Sequence, residues 1–130
     1  MITKSLETHK RTELIDITSQ IQEIVSSSDM LNGIATVHIP HTTAAVTINE
    51  NADPDVVHDL LLTLEDLIPQ SRKGYRHAEG NSDAHVKTSL VGSSVTIIVE
   101  NGRLVLGTWQ AIFFCEFDGP RHRQFIVHLQ

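Results

Sequence analysis

The sequence predicts one α+β domain over residues 1–130, a sandwich-like or barrel-like sheet with about three flanking helices. Three observations predict it. Alternating, β-branched segments of strand length recur along the chain. Between them lie stretches whose apolar residues repeat at helical spacing behind a capping residue. Turn signals at Asn32-Gly33, Asn101-Gly102 and Asp118-Gly119-Pro120 punctuate the pattern. With 40% apolar and 20% charged residues the composition is that of an ordinary globular chain, which excludes disordered and collagen-like classes.

In chain order, residues 2–8 and 14–17 read as strands. Thr18 and Ser19 are candidate N-caps for a helix over 19–27, with Ile21, Ile24 and Val25 on its inner face. Residues 34–39 alternate with Ala35, Val37 and Ile39 on one side, and Pro40 ends the strand. Residues 44–49 form another. A helix over 54–68 follows from Asp53 as N-cap, Pro54 at its first position and a buried stripe of Val57, Leu60, Leu61, Leu64 and Ile68. Pro69 stops it. Residues 69–81 are charged and glycine-containing and read as a long loop, the kind of segment that often carries function. Ser82 or Asp83 caps a short helix to about residue 91, with Val86 and Leu90 inward and Gly92 as terminator. The last third is β: strands over 94–100, 103–117 and 123–129, the first two joined by Asn101-Gly102, where both turn positions need positive φ. Gly107 marks a bulge or a close backbone approach. The total is about seven strands.

Charge and special residues narrow the function classes. Ten basic residues against 16 acidic ones give a net charge of −6, which argues against a sequence-independent nucleic-acid binder. No apolar run is long enough to span a membrane, and the first residues lack a signal-peptide core, so the expectation is a soluble cytoplasmic protein. The single cysteine, Cys115, allows no intrachain disulfide. It sits among Phe113, Phe114 and Phe117 and reads as a buried small hydrophobe with a raised pKa.

Eight histidines against seven glycines invite a search for a site. They form no compact metal motif, but position separates them. His41 lies between two strands, His77 in the long loop and His85 in the first turn of a helix. Three such ligands with an open fourth position are what a catalytic zinc site uses; ordinary surface or hydrogen-bonded histidines are the alternative. His58 reads as solvated, His38 and His128 as half-buried strand residues. Glu116, in an apolar strand, is either exposed or paired, and one candidate partner is a histidine. Two basic clusters, Arg72-Lys73 with Arg76 and Arg121-His122-Arg123, suggest a phosphate or carboxylate ligand, against a default of plain surface charge.

Several stretches together carry a resemblance: His41-Thr42-Thr43-Ala44-Ala45, Asn49-Glu50-Asn51 with Asp53-Pro54, and Tyr75-Arg76-His77 with Glu79-Gly80. They continue with Ala84-His85-Val86-Lys87, Asn101-Gly102-Arg103-Leu104 and Leu106-Gly107-Thr108-Trp109-Gln110. Over nearly its whole length the chain resembles the YjbQ-like family, a family often labelled secondary thiamine-phosphate synthase. The resemblance implies a β-sandwich-like α+β domain assembled as a homotrimer. It also implies a metal site at His41, His77 and His85, and an activity that joins a pyrimidine diphosphate to a thiazole phosphate with release of pyrophosphate. On that basis Arg76 and Lys87 are expected to hold phosphate oxygens, helped by the N-terminus of the 82–91 helix, and Glu116 to orient a histidine or act as a base. Three imidazoles favour a divalent transition metal, zinc above all, whereas diphosphate chemistry commonly uses Mg²⁺ with oxygen ligands. Two alternatives stand beside the transferase. One is a zinc-type hydrolase of a small substrate; the other is a non-catalytic trimeric metal- or anion-binding module. The expected partner is a small phosphorylated substrate, with no nucleic acid and no membrane.

Overall fold

The computed structural model describes all residues, Met1–Gln130. The elements in order are β1 (Ile2–Glu7), β2 (Glu13–Asp16), α1 (Thr18–Ser26), β3 (Gly33–His38), β4 (Ala44–Glu50), α2 (Pro54–Leu67) and α3 (Ser82–Val91). β5 (Ser94–Glu100), β6 (Arg103–Leu104), β7 (Gln110–Glu116) and β8 (His122–Leu129) complete the chain. They build two antiparallel sheets: five strands in the order β1-β8-β3-β5-β6, and three in the order β2-β7-β4.

Strand alternation decides what lies between the layers. Ile112 and Phe114 of β7, with Ala44 and Val46 of β4, meet Val37, Ile97, Phe125 and Val127 of the larger sheet in the main core, which α1 closes with Ile21 and Ile24. The intervening residues Phe113, Cys115, Ala111 and Ala45 point the other way, into a second core where Val57 and Leu64 of α2 and Ala84 of α3 cover them. The small sheet is thus the middle of three layers. The outer face of the large sheet carries no layer; Ile34 and Ile98, paired across β3 and β5, are exposed there.

The α+β sandwich matches the expectation, and the departures have local causes. The stretch 103–117 is two strands in different sheets, which makes eight in all. Between them the chain turns at Gly107, whose carbonyl accepts the Gln110 N–H while the Gln110 side chain accepts the Gly107 N–H. The Asn101-Gly102 turn has the expected positive φ at both residues, 52° and 74°. Neither Thr18 nor Ser19 caps α1; Ile17 occupies the N-cap position, and the Thr18 hydroxyl instead accepts the Ile112 N–H and ties the helix to β7. Asp53 caps α2 as expected, accepting the Asp55 N–H at 2.9 Å. The stripe of α2 is only half-buried, with full burial reserved for Ile68 just beyond it. In α3 the expected facing is reversed: Val86 and Leu90 are exposed, while Asp83, Ala84, Lys87 and Thr88 are buried. His38 and His128 are exposed rather than half-buried.

Candidate functional site

The loops after β3, before α3 and before β8 meet at one end of the sandwich. They enclose an open crevice of ≈ 450 Å³ with no hydrophobic side chain in its lining. His41 and Thr43 come from the β3–β4 connection, His77 and Asn81 from the long loop, His85 from α3, and Arg121 and Arg123 from the start of β8. Of the sequence-derived candidates, the three histidines therefore share one cleft. Arg76 is exposed on the long loop and lies outside the lining. Lys87 does not reach it either. Its side chain is 1% exposed and its ammonium is bonded to Asp83 and Glu65, each at 2.9 Å, so its charge is committed to these carboxylates away from the crevice.

Glu116 is fully buried and organises the floor. Arg123 grips both of its oxygens, Thr8 donates its hydroxyl at 2.7 Å and the Asp118 N–H donates at 3.0 Å. Burial alone would raise the Glu116 pKa, but the hydrogen bond from Arg123, with those from Asp118 and Thr8, outweighs it and lowers the value. Glu116 therefore contacts no histidine and is too weak a base for the role expected of it; it is the anchor of Arg123. Arg123 in turn donates to the Thr43 hydroxyl at 2.8 Å. Arg121, which is more exposed, is held by Asp118, donating to one carboxylate oxygen at 3.0 Å and to the backbone carbonyl at 2.8 Å, and Asp118 also accepts from the Asn81 side chain at 2.8 Å.

These two arginines, and not Arg76 and Lys87, are the cations of the crevice. The signal was in the sequence: in an extended segment residues 121 and 123 share one side and 122 faces the other. His122 accordingly points away and pairs with Glu7 at 3.1 Å.

The imidazoles differ among themselves. His77 and His85 meet edge to face with ring centres 5.3 Å apart. Two imidazoles on one tetrahedral zinc ion, with Zn–N bonds of about 2 Å, hold their ring centres about 5 Å apart. This pair fits a shared ion in spacing. His41 does not complete the set, because its Nε2 accepts the Gln124 N–H of β8 at 2.9 Å. A neutral ring bonded in this way carries its proton on Nδ1 and offers a donor, not a lone pair. Burial, and then the charge of Arg123, lowers the His41 pKa and keeps the ring neutral. No three His, Cys, Asp or Glu side chains are grouped closely enough to hold one ion. The expected three-imidazole centre does not fit this arrangement; what the cleft presents is two rings in contact, a third acting as donor, and two anchored guanidiniums.

A small antiparallel sandwich with a polar, arginine-floored cleft at one end defines a class of compact α+β domains. Within that class, this chain belongs to the YjbQ/UPF0047 family: residues 2–130 match the family described as UPF0047 protein YjbQ-like. It is similar to UPF0047 protein MJ1081 of Methanocaldococcus jannaschii, 56% identical over 95% of this chain and 89% of that one. UPF0047 protein YugU of Bacillus subtilis is 52% identical over 93% and 92% of the two chains. The crystal structure of an uncharacterized conserved YjbQ/UPF0047-family protein from Clostridium acetobutylicum superposes with a TM-score of 0.98 over 100% of both chains, at 52% identity. That of the conserved hypothetical protein TT1486 from Thermus thermophilus gives 0.93 at 39% identity over 100% of both chains. These relatives establish family and fold and leave the chemistry to be argued from the cleft. No helix of the chain is long and apolar enough to cross a membrane.

Proposed function

We propose that the crevice binds a diphosphate-bearing small molecule. We further propose that the protein is a transferase of the thiamine-phosphate synthase type, joining a pyrimidine diphosphate to a thiazole phosphate. The observation that carries this reading is the lining: three imidazoles and two anchored guanidiniums around a cleft with no apolar wall. In this reaction the bond from the pyrimidine methylene carbon to the diphosphate oxygen breaks, its electron pair leaving on oxygen. The thiazole nitrogen lone pair then forms the new C–N bond. No proton has to leave carbon, so the step needs donors for the departing charge rather than a base. Arg121 and Arg123 are held ready by Asp118 and Glu116, which removes reorganisation from that step. The neutral His41 offers its Nδ1–H without needing an acidic medium, and His77 and His85 face the same space.

The test is direct. Purified protein is given both substrates, and thiamine phosphate and pyrophosphate are quantified. His85→Ala, with its fold checked by circular dichroism, should lose about 10²-fold in kcat/KM, the usual cost of removing one donor at a developing anion. Phosphate release from the diphosphate without a coupled product would identify a hydrolase instead. Absence of either product would leave a binding module. The uncovered outer face of the large sheet supports assembly into the homotrimer this reading carries, which light scattering would test by mass. Charged phosphorylated substrates also imply a cytoplasmic location.

A further inference from the structure

A second, smaller crevice of ≈ 170 Å³ lies against the first, and the two have His77 in common. Its walls differ in kind. Tyr75, the one tyrosine of the chain, is partly buried in it. Arg72 lines it too and, unlike Arg121 and Arg123, has no carboxylate within ion-pair distance. Ser82, the first residue of α3, stands at the rim, and the Asn81 side chain leaves the helix start uncapped because it is turned toward Asp118. At Gly80, with φ +73°, nothing lies within 4 Å of the space a Cβ would take, so the wall is open there. The larger cleft thus offers anchored cations and imidazoles, while the smaller offers one aromatic face, one free guanidinium and the backbone donors of a helix start.

We propose that the smaller crevice is a second subsite, that it takes a phosphate monoester of a heteroaromatic ring, and that His77 stands between the two bound molecules. The ring lies on Tyr75 and its phosphate meets Arg72 and the first turn of α3. This rests on the transferase reading, since a reaction of two phosphorylated molecules requires a second anionic site beside the first. A volume of ≈ 170 Å³ matches one ring with a short tail, and its one free guanidinium matches one phosphate, so the two partners are sorted by size and by charge. The partner's ring nitrogen then approaches the carbon that loses diphosphate from the His77 side.

Phenyl phosphate serves as a probe that needs no turnover, followed by NMR shifts of Tyr75 and Ser82 resonances. The expected result is saturable shifts at these residues, with affinity about tenfold lower in Arg72→Ala and in Tyr75→Ala but restored by Tyr75→Phe, as loss of one charge-assisted contact or one aromatic face predicts. In the coupled assay, Arg72→Ala should raise KM for the thiazole phosphate about tenfold and leave KM for the pyrimidine diphosphate within about twofold. Equal phenyl phosphate affinity in wild type and Arg72→Ala, or shifts confined to His41 and Arg123, would overturn the subsite even if coupled product forms. Arg72-dependent binding without any coupled product would retain the subsite and remove the transferase reading.

Discussion

Helices α2 and α3 cover the same face of the small sheet, yet they are held there by opposite means. α2 follows the ordinary rule: a capped start, and an apolar stripe turned toward Phe113, Cys115 and Phe117. α3 inverts it, with Leu90 69% exposed and the charged Asp83 and Lys87 buried. Inside, Asp83 accepts two hydrogen bonds from Arg11, at 3.0 and 3.1 Å, and one from Lys87, which reaches on to Glu65 of α2. A hydrophobic stripe tolerates sliding by small amounts, because dispersion contacts are non-directional. A buried, bidentate ion-pair network does not, because its geometry is fixed by hydrogen bonds. The helix that carries His85 is the one locked by the directional network, and the helix that carries no residue of the crevice is the one that rests on grease.

The largest expected break in this contrast is Asp83→Ala. It leaves Arg11 and Lys87 facing each other without their shared carboxylate, and urea denaturation should register a loss of about 3–5 kcal/mol. The same pair of clusters sets the acid limit of the fold. Burial would raise the pKa of Asp83, but the hydrogen bonds from Arg11 and Lys87 outweigh it and lower the value, as Arg123 does for Glu116. Carboxyls with depressed folded-state pKa contribute stability that is complete above the unfolded value of about 4 and is lost as pH falls through the folded value. Thermal melts from pH 7 down to pH 2 should therefore fall steeply below about pH 4 in the wild type and less steeply in Glu116→Gln, which has lost that carboxyl. Leu64→Ala, in the half-buried stripe of α2, should cost about 1–2 kcal/mol, part of the full core value. Asp53→Ala, which removes the cap of α2, should cost about 1 kcal/mol. Leu90→Ala should stay within about 0.5 kcal/mol, since nothing covers that side chain; a cost equal to that of Leu64→Ala would mean that α3 uses its apolar side after all.

What was readable in the residues follows the same division. Alternation, the Asn101-Gly102 turn and the Asp53-Pro54 start are local signals, and each led to the right element. The strand split was hidden because both halves are rich in apolar residues; the Gln110 side chain folds back on Gly107 in the connection between them. The facing of α3 was hidden because apolarity alone cannot show that Arg11, 72 positions earlier, returns to pair with Asp83. The histidines of the cleft were legible from their positions at element ends. Strand alternation was enough to put Arg121 and Arg123 on one side, but not to show that Lys87 is committed to Asp83 and Glu65 or that Arg76 lies outside the lining, because both depend on what folds beside them.

The carboxylate of Glu116 also sets an order of events. Its partners are drawn from both ends of the chain: Thr8 lies 108 positions before it, and Arg123 arrives with the last strand. Contacts so distant along the chain form late, since loop closure has to come before they contribute. During synthesis the ribosome must release β8 before the crevice floor exists. The nascent protein therefore passes through a stage in which all three helical segments have been synthesised and the crevice floor has not formed.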